Sequence, residues 1–178
     1  MAHPRAALPF LIRRQHDVVH ASEVTSTTEA IHGVLRLEVD ALVVQWSTAR
    51  ESLRVGRVIE TTRALDPVRE VRIPFAGLAG AALRWQWRRW PPGPTFVLLA
   101  SDLHAFAGLA GGAGLVLEHP AELTLGIRRQ DRATARDFAS ELELQLADLA
   151  LGAAEGRQQI GAGERSPPAG RLPRGGSA

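Results

Sequence analysis

"GVLRLEVDALVVQWSTARE", Gly33 to Glu51, is the stretch that decides the fold. Leu35, Leu37 and Val39 alternate with Arg36 and Glu38, the two-residue period of a strand with one buried face. Asp40-Ala41 makes a tight connection. Leu42, Val44 and Trp46 then return along one face of a second strand. Two adjacent antiparallel strands commit the chain to a sheet, and the segments downstream repeat the pattern. "VREVRIPF" (68–75) sets Val71 and Ile73 against Arg72, with Pro74 expected at the strand end because proline cannot donate to a ladder. "LAGAALRWQW" (78–87) places Ala79, Ala81, Leu83, Trp85 and Trp87 on one face and Ala82, Arg84, Gln86 and Arg88 on the other. "TFVLLAS" (95–101) reads as a strand buried on both sides. "GLVLEH" (114–119) and "ELTLGIRR" (122–129) follow, the latter alternating Leu123, Leu125 and Ile127.

The period then changes. Asp131 is a suitable N-cap, and "RATARDFASELELQLADLAL" carries Ala135, Phe138, Leu142, Leu146 and Leu149 at helical spacing. Gly152 is the expected stop. The flanks show no such periodicity. Residues 1–30 read as a loose N-terminal extension and 52–66 as a long connection. Residues 152–178 are rich in Gly, Pro and Arg and read as a disordered tail, because they bury too little to offset ordering entropy. The expected organisation is one domain over 31–151, mainly β with about seven strands and one C-terminal helix.

Four strands, three strands and a closing helix resemble the pleckstrin-homology-like (PH-like) fold. The phrases "VREVRIPFAGLAGAALR" and "GLVLEHPAELTLGIRRQDRATARDFASELELQLA" are similar to small bacterial PH-like domains. The resemblance implies a barrel of two orthogonal antiparallel sheets capped by the amphipathic helix, with Ile73, Leu83, Leu125 and Phe138 in the core. It also implies a binding or scaffold module and no enzyme. PH-like domains that grip phosphoinositides use a basic loop between their first two strands. Here that place is "LEVDALV", which carries Glu38 and Asp40, so head-group recognition does not carry over.

Composition narrows the function classes. All 21 basic residues are arginine, and lysine, asparagine, tyrosine and cysteine are absent. The net charge is only +2, so the sequence pI of about 10.7 reflects arginine's resistance to deprotonation and no phosphate-binding design. Without cysteine there is no disulfide or thiolate chemistry. "AALPFLIRR" has its charge after its apolar run, the reverse of a signal peptide, and the chain is expected in the cytoplasm, with peripheral membrane contact as an alternative.

"RWQWRRWPPGP" (84–94) is the candidate site. From Val71 to Ser101 there are four arginines and no acid, and three of the chain's four tryptophans fall within the eleven-residue motif. Alternation divides it: Trp85 and Trp87 point to the interior with Leu83, whereas Arg84, Arg88, Arg89 and Trp90 form a rim surface able to bind. No catalytic set is found. "SDLH" (101–104) places Ser, Asp and His on one loop, whereas a nucleophile and its base normally converge from separate elements. His104 and His119 lack a third metal ligand. "GLAGGAG" (108–114) precedes a strand and has no Lys, unlike a phosphate loop. The acids Asp137, Glu141, Glu143 and Asp148 make a solvated helix face. The expectation is a non-enzymatic module without cofactor or metal, binding a protein partner or itself. The alternative is contact with an anionic lipid surface through the Arg/Trp patch; nucleic acid ranks below both.

Overall fold

The computed structural model describes residues 6–20, 23–56, 58–86, 93–110, 115, 117 and 119–163. The protein is mainly β, with two antiparallel sheets and one long C-terminal helix. The first sheet contains β1 (Ala6–His20), β2 (Glu23–Leu37) and β3 (Ala41–Val55), in that order. β4 (Ile59–Leu65) and β5 (Arg69–Pro74) share the far edge of β3: residues 41–46 pair with β5, and residues 49–55 pair with β4. The second sheet is β6 (Leu78–Gln86), β7 (Gly93–Ala100) and β8 (Glu122–Gly126). A single turn, α1 (Ala107–Ala110), follows β7, and α2 (Arg132–Gly163) closes the chain. Among the described residues no strand pairing joins the two sheets, so hydrogen bonds do not close them into a barrel.

The chain divides into two compact units, Met1–Leu146 and Ala147–Ala178. The first contains one core, fed by both sheets and by α2. Leu8, Phe10 and Ile12 enter it from β1, Ile31, Leu35 and Leu37 from β2, and Leu42, Val44 and Trp46 from β3. Phe96 and Leu98 of β7, with Leu123 and Leu125 of β8, supply the second sheet's share. Ala135, Phe138 and Leu142 bring in α2, and the Phe138 ring meets Phe96 edge-on at 5.6 Å between centroids. Such aromatic pairs add about 0.5–1.5 kcal/mol beyond the area they bury. In the second unit Leu149 and Leu151 are exposed.

One cross-strand row fixes the register of the first sheet. Phe10 lies opposite Gly33, and Gly33 lies opposite Trp46. Directly opposed residues share a face, so two large aromatics flank a residue with no side chain. The Phe10 ring occupies the vacant space: a Cβ on Gly33 would stand 2.2 Å from the Phe10 ring tip and 2.6 Å from the Gln45 carbonyl. The β2–β3 turn is secured from outside. Glu38 N–H donates to the Ala41 carbonyl and Phe75 N–H to the Asp40 carbonyl. Arg72 on β5 bonds both Glu38 and Asp40, and these carboxylates, Asp40 foremost, raise the guanidinium above its ordinary pKa.

Four expectations are corrected. Residues 6–20 are strand β1, and β2 begins at Glu23, so the N-terminal segment is no loose extension. Among the described residues of β1 only Leu8, Phe10 and Ile12 are buried, so beyond Ile12 the strand has no apolar alternation to show. The connection 52–66 is largely strand, holding the end of β3 and all of β4. In β6 the register shifts between Leu78 and Gly80, which lets Leu78 and Ala81 both be buried and leaves Ala79 exposed. α2 runs through Gly152 to Gly163, where nothing crowds or caps the Gly152 position. The expected strand 114–119 falls partly outside the described residues, and there His119 makes only an isolated bridge to Glu122. The Gly-rich stretch opens with a helical turn that buries Phe106 and Leu109 completely.

The Phe10–Gly33 fit makes a direct test. Gly33→Ala should cost about 1–3 kcal/mol, the usual penalty of overpacking, and Phe10→Ala about 3–5 kcal/mol. In urea denaturation the double variant should lose less than the two losses combined, because removing the ring makes room for the methyl group.

Candidate functional site

Two surfaces have the features of a site. The first surrounds β6. Arg84 is exposed and lies 3.9 Å from the Glu122 carboxylate on β8. Trp85 lies opposite Pro94, and the Pro94 carbonyl accepts from Ile127 N–H at 3.0 Å. The β8–α2 connection therefore emerges beside Trp85. It carries Arg129 and Arg132 over the indole, with guanidinium carbons 5.7 Å and 6.0 Å from the ring centroid. Each such contact contributes about 0.5–1 kcal/mol at an exposed site. Trp85 is accordingly half-buried, and the expectation that it is a core residue is corrected. Arg88, Arg89 and Trp90, together with Trp87, lie outside the described residues. Of the four expected binding residues, Arg84 is thus the one whose surroundings are visible. Its arginine neighbours at Trp85 come from a segment that is distant in sequence.

The residues weighed for chemistry serve local structure. Ser101 hydroxyl donates to the Ala76 carbonyl at 2.8 Å, and the Asp102 carboxylate accepts from the His104 N–H at 3.0 Å. His119 Nδ1 accepts from Ala121 N–H at 3.1 Å. Among the described residues no three His, Asp or Glu side chains are grouped as a metal site.

The second surface was not legible in the sequence. The core ends at the row Ile12, Ile31 and Thr48. Beyond it β1, β2, β3 and β4 continue together as a four-stranded arm, and none of its described residues is buried. The eight residues of β2 from Glu23 to Ala30 give it a length of about 25 Å at 3.3 Å per residue. Cross-strand charges hold it. Glu29 stands opposite Arg50, which also reaches Asp66; both contacts are 3.0 Å. Glu51 stands opposite Arg63 at 3.1 Å, and Arg54 takes Glu23 at 2.6 Å. Near the tip Ser26 hydroxyl donates to Asp17 at 2.7 Å and Gln15 amide donates at 3.3 Å. These bonds, Ser26 first, hold the Asp17 carboxyl below its ordinary value of 3.8.

The outer face of the arm, opposite the core face, carries apolar rows. At the tip Val19, Val24, Val55 and Ile59 are directly opposed in sequence across all four strands. Their exposures are 69%, 42%, 41% and 69%, so water sees a continuous β-branched row. At the base of the same face Ala30, Ala49 and Leu65 form another row. Small residues there leave a shallow depression lined also by Thr28, Glu51 and Arg63. The available sequence signal was enrichment in Val, Ile and Thr over 18–31 and 55–62, which favours strand without specifying a buried face.

No protein-family model, curated protein or solved structure matches the chain.

The Asp17 cluster predicts a pH dependence of definite sign. A lowered folded pKa means that the bonds contribute above the ordinary value of 3.8 and are lost as pH falls through the lower folded value. An NMR titration should place Asp17 below 3.8, and Ser26→Ala should move it back upward.

Proposed function

We propose that this chain is a non-enzymatic interaction module of the PH-like type, binding a protein partner or a second copy of itself. Its element order supports the PH-like reading: a first antiparallel sheet, a second of three strands, and a C-terminal helix packed through Phe138 on Phe96. In the complete PH-like arrangement the two sheets cross orthogonally as a barrel and the helix caps one end. The observation that carries the interaction reading is the arm. None of its described residues is fully buried, yet it presents a four-residue apolar row and an undivided strand edge to solvent. Exposed apolar patches and bare strand edges are features that soluble proteins limit unless a partner covers them.

The rim residues Arg84, Arg88, Arg89 and Trp90 give a second contact surface. Contact with anionic lipid is favoured there by one observation, the exposed Arg129 and Arg132 over Trp85, with the exposed Arg84 adjacent to it on β6. Each arginine near such a surface contributes about 1 kcal/mol, and three together reach roughly a hundredfold in binding. Among the described residues no helix is long and apolar enough to cross a membrane.

Affinity capture with the wild-type chain, compared with Val24→Asp/Val55→Asp, tests the main reading. The expected result is a specific partner retained by wild type and lost at least tenfold in the variant, whose circular dichroism is unchanged. Equal retention by both would remove the arm from the interface. For lipid, sedimentation with phosphatidylserine vesicles at low salt should pellet wild type and not Arg84→Glu/Arg132→Glu. A wild type left in the supernatant ends that reading.

A further inference from the structure

We propose that two copies of this chain pair through their β4 edges, antiparallel about Thr62, to make one continuous sheet. The proposal rests on the interaction reading above and names the partner. The two ends of the first sheet differ. β1 carries Pro9, which removes a donor from its edge. β4, "IETTRAL", has no proline and no bulge, all seven residues are exposed, and β3 is its one strand neighbour among the described residues. Its outward backbone groups are a template for another strand.

The sequence of β4 selects the register. Two identical antiparallel strands are related by a twofold axis normal to the sheet, and opposed residues must share a face, so the axis must pass through a residue. An axis at Glu60 opposes Glu60 to itself, and one at Arg63 opposes Arg63 to itself; both place like charges together. An axis at Thr61 opposes Ile59 to Arg63. An axis at Thr62 uses all seven residues. It opposes Ile59 to Leu65, Glu60 to Ala64, Thr61 to Arg63, and Thr62 to Thr62.

The flanking rows then meet like with like. The tip row Val19, Val24, Val55 and Ile59 runs on into Leu65, Ala49 and Ala30 of the second copy, and the twofold repeats the match. On the other face the Arg54–Glu60 row continues through Ala64 to Arg50 of the second copy, so the acid stands between arginines. Each copy's exposed tip thus finds the apolar base of the other. A second copy therefore suits this face without any rearrangement of side-chain chemistry.

Sedimentation equilibrium on the full chain, over about 1–200 µM to populate a small interface, should give a mass rising toward twice 19.2 kDa. Ile59→Lys/Leu65→Lys should remain monomeric with an unchanged circular dichroism spectrum. The absence of cysteine permits a sharper readout. Thr62→Cys should form a covalent dimer on mild oxidation. Glu60→Cys and Ala64→Cys should each form no disulfide alone and should cross-link when mixed. This follows because 60 opposes 64, whereas 60 lies about 13 Å from its own copy, beyond disulfide reach. A monomeric wild type, a dimer that survives Ile59→Lys/Leu65→Lys, or the absence of cross-linking by Thr62→Cys each overturns the proposal. A monomeric wild type that still retains a partner in the capture experiment ends self-pairing and leaves the interaction reading intact.

Discussion

The Phe10 ring lying across Gly33 is the contact on which the first sheet depends. A slip of one residue between β1 and β2 would turn every core side chain of β1 to solvent. The row Phe10–Gly33–Trp46 allows one arrangement, because only glycine leaves space for the ring between strand partners. Once that row is set, Leu8 and Leu35 align on one side of it and Ile12 and Ile31 on the other. The same ladder then carries the strands beyond the core. The arm's register is inherited from an aromatic contact near its base, and its cross-strand ion pairs are spaced to match.

The long strands serve two purposes along their length. Their proximal halves have an apolar core face that joins β7, β8 and α2. Their distal halves exchange that for ion pairs, with exposed rows of valine, isoleucine and leucine on the face turned away from the core. Isolated exposed ion pairs contribute little each, so the arm's cohesion rests on its backbone ladder and its pairing across four strands. Arg50, which joins Glu29 of β2 and Asp66 beyond β4, ties the three strands together at the base.

Legibility in the sequence followed burial. The β2–β3 hairpin, the proline-ended β5, β8 and the apolar stripe of α2 through Leu142 show a periodicity that water imposes on one-sided elements, and β7 is legible as a continuous apolar run. Residues 13–20, 23–30, 52–55 and 59–65 are strand without a buried face, so no alternation marks them, and they read as loop and extension. Glycine favours a helix end, so Gly152 predicts a stop, whereas α2 passes through it with no neighbour to forbid it. In the Arg/Trp motif, strand alternation correctly set Arg84 outward, but it could not foresee the bulge at Leu78–Gly80 or the arginines that return over Trp85 from the start of α2. Those contacts join segments more than forty residues apart in sequence.

Every ion pair described above joins arginine to a carboxylate, and the chain has no lysine to substitute for one. A guanidinium keeps its proton far into alkali, where an ammonium group would release it. The cross-strand charges of this sheet can therefore be dismantled by acid, through their carboxylate partners, but hardly by base. The arm has a one-sided sensitivity to proton activity: its electrostatic ladder stays closed across the alkaline range and opens only toward low pH.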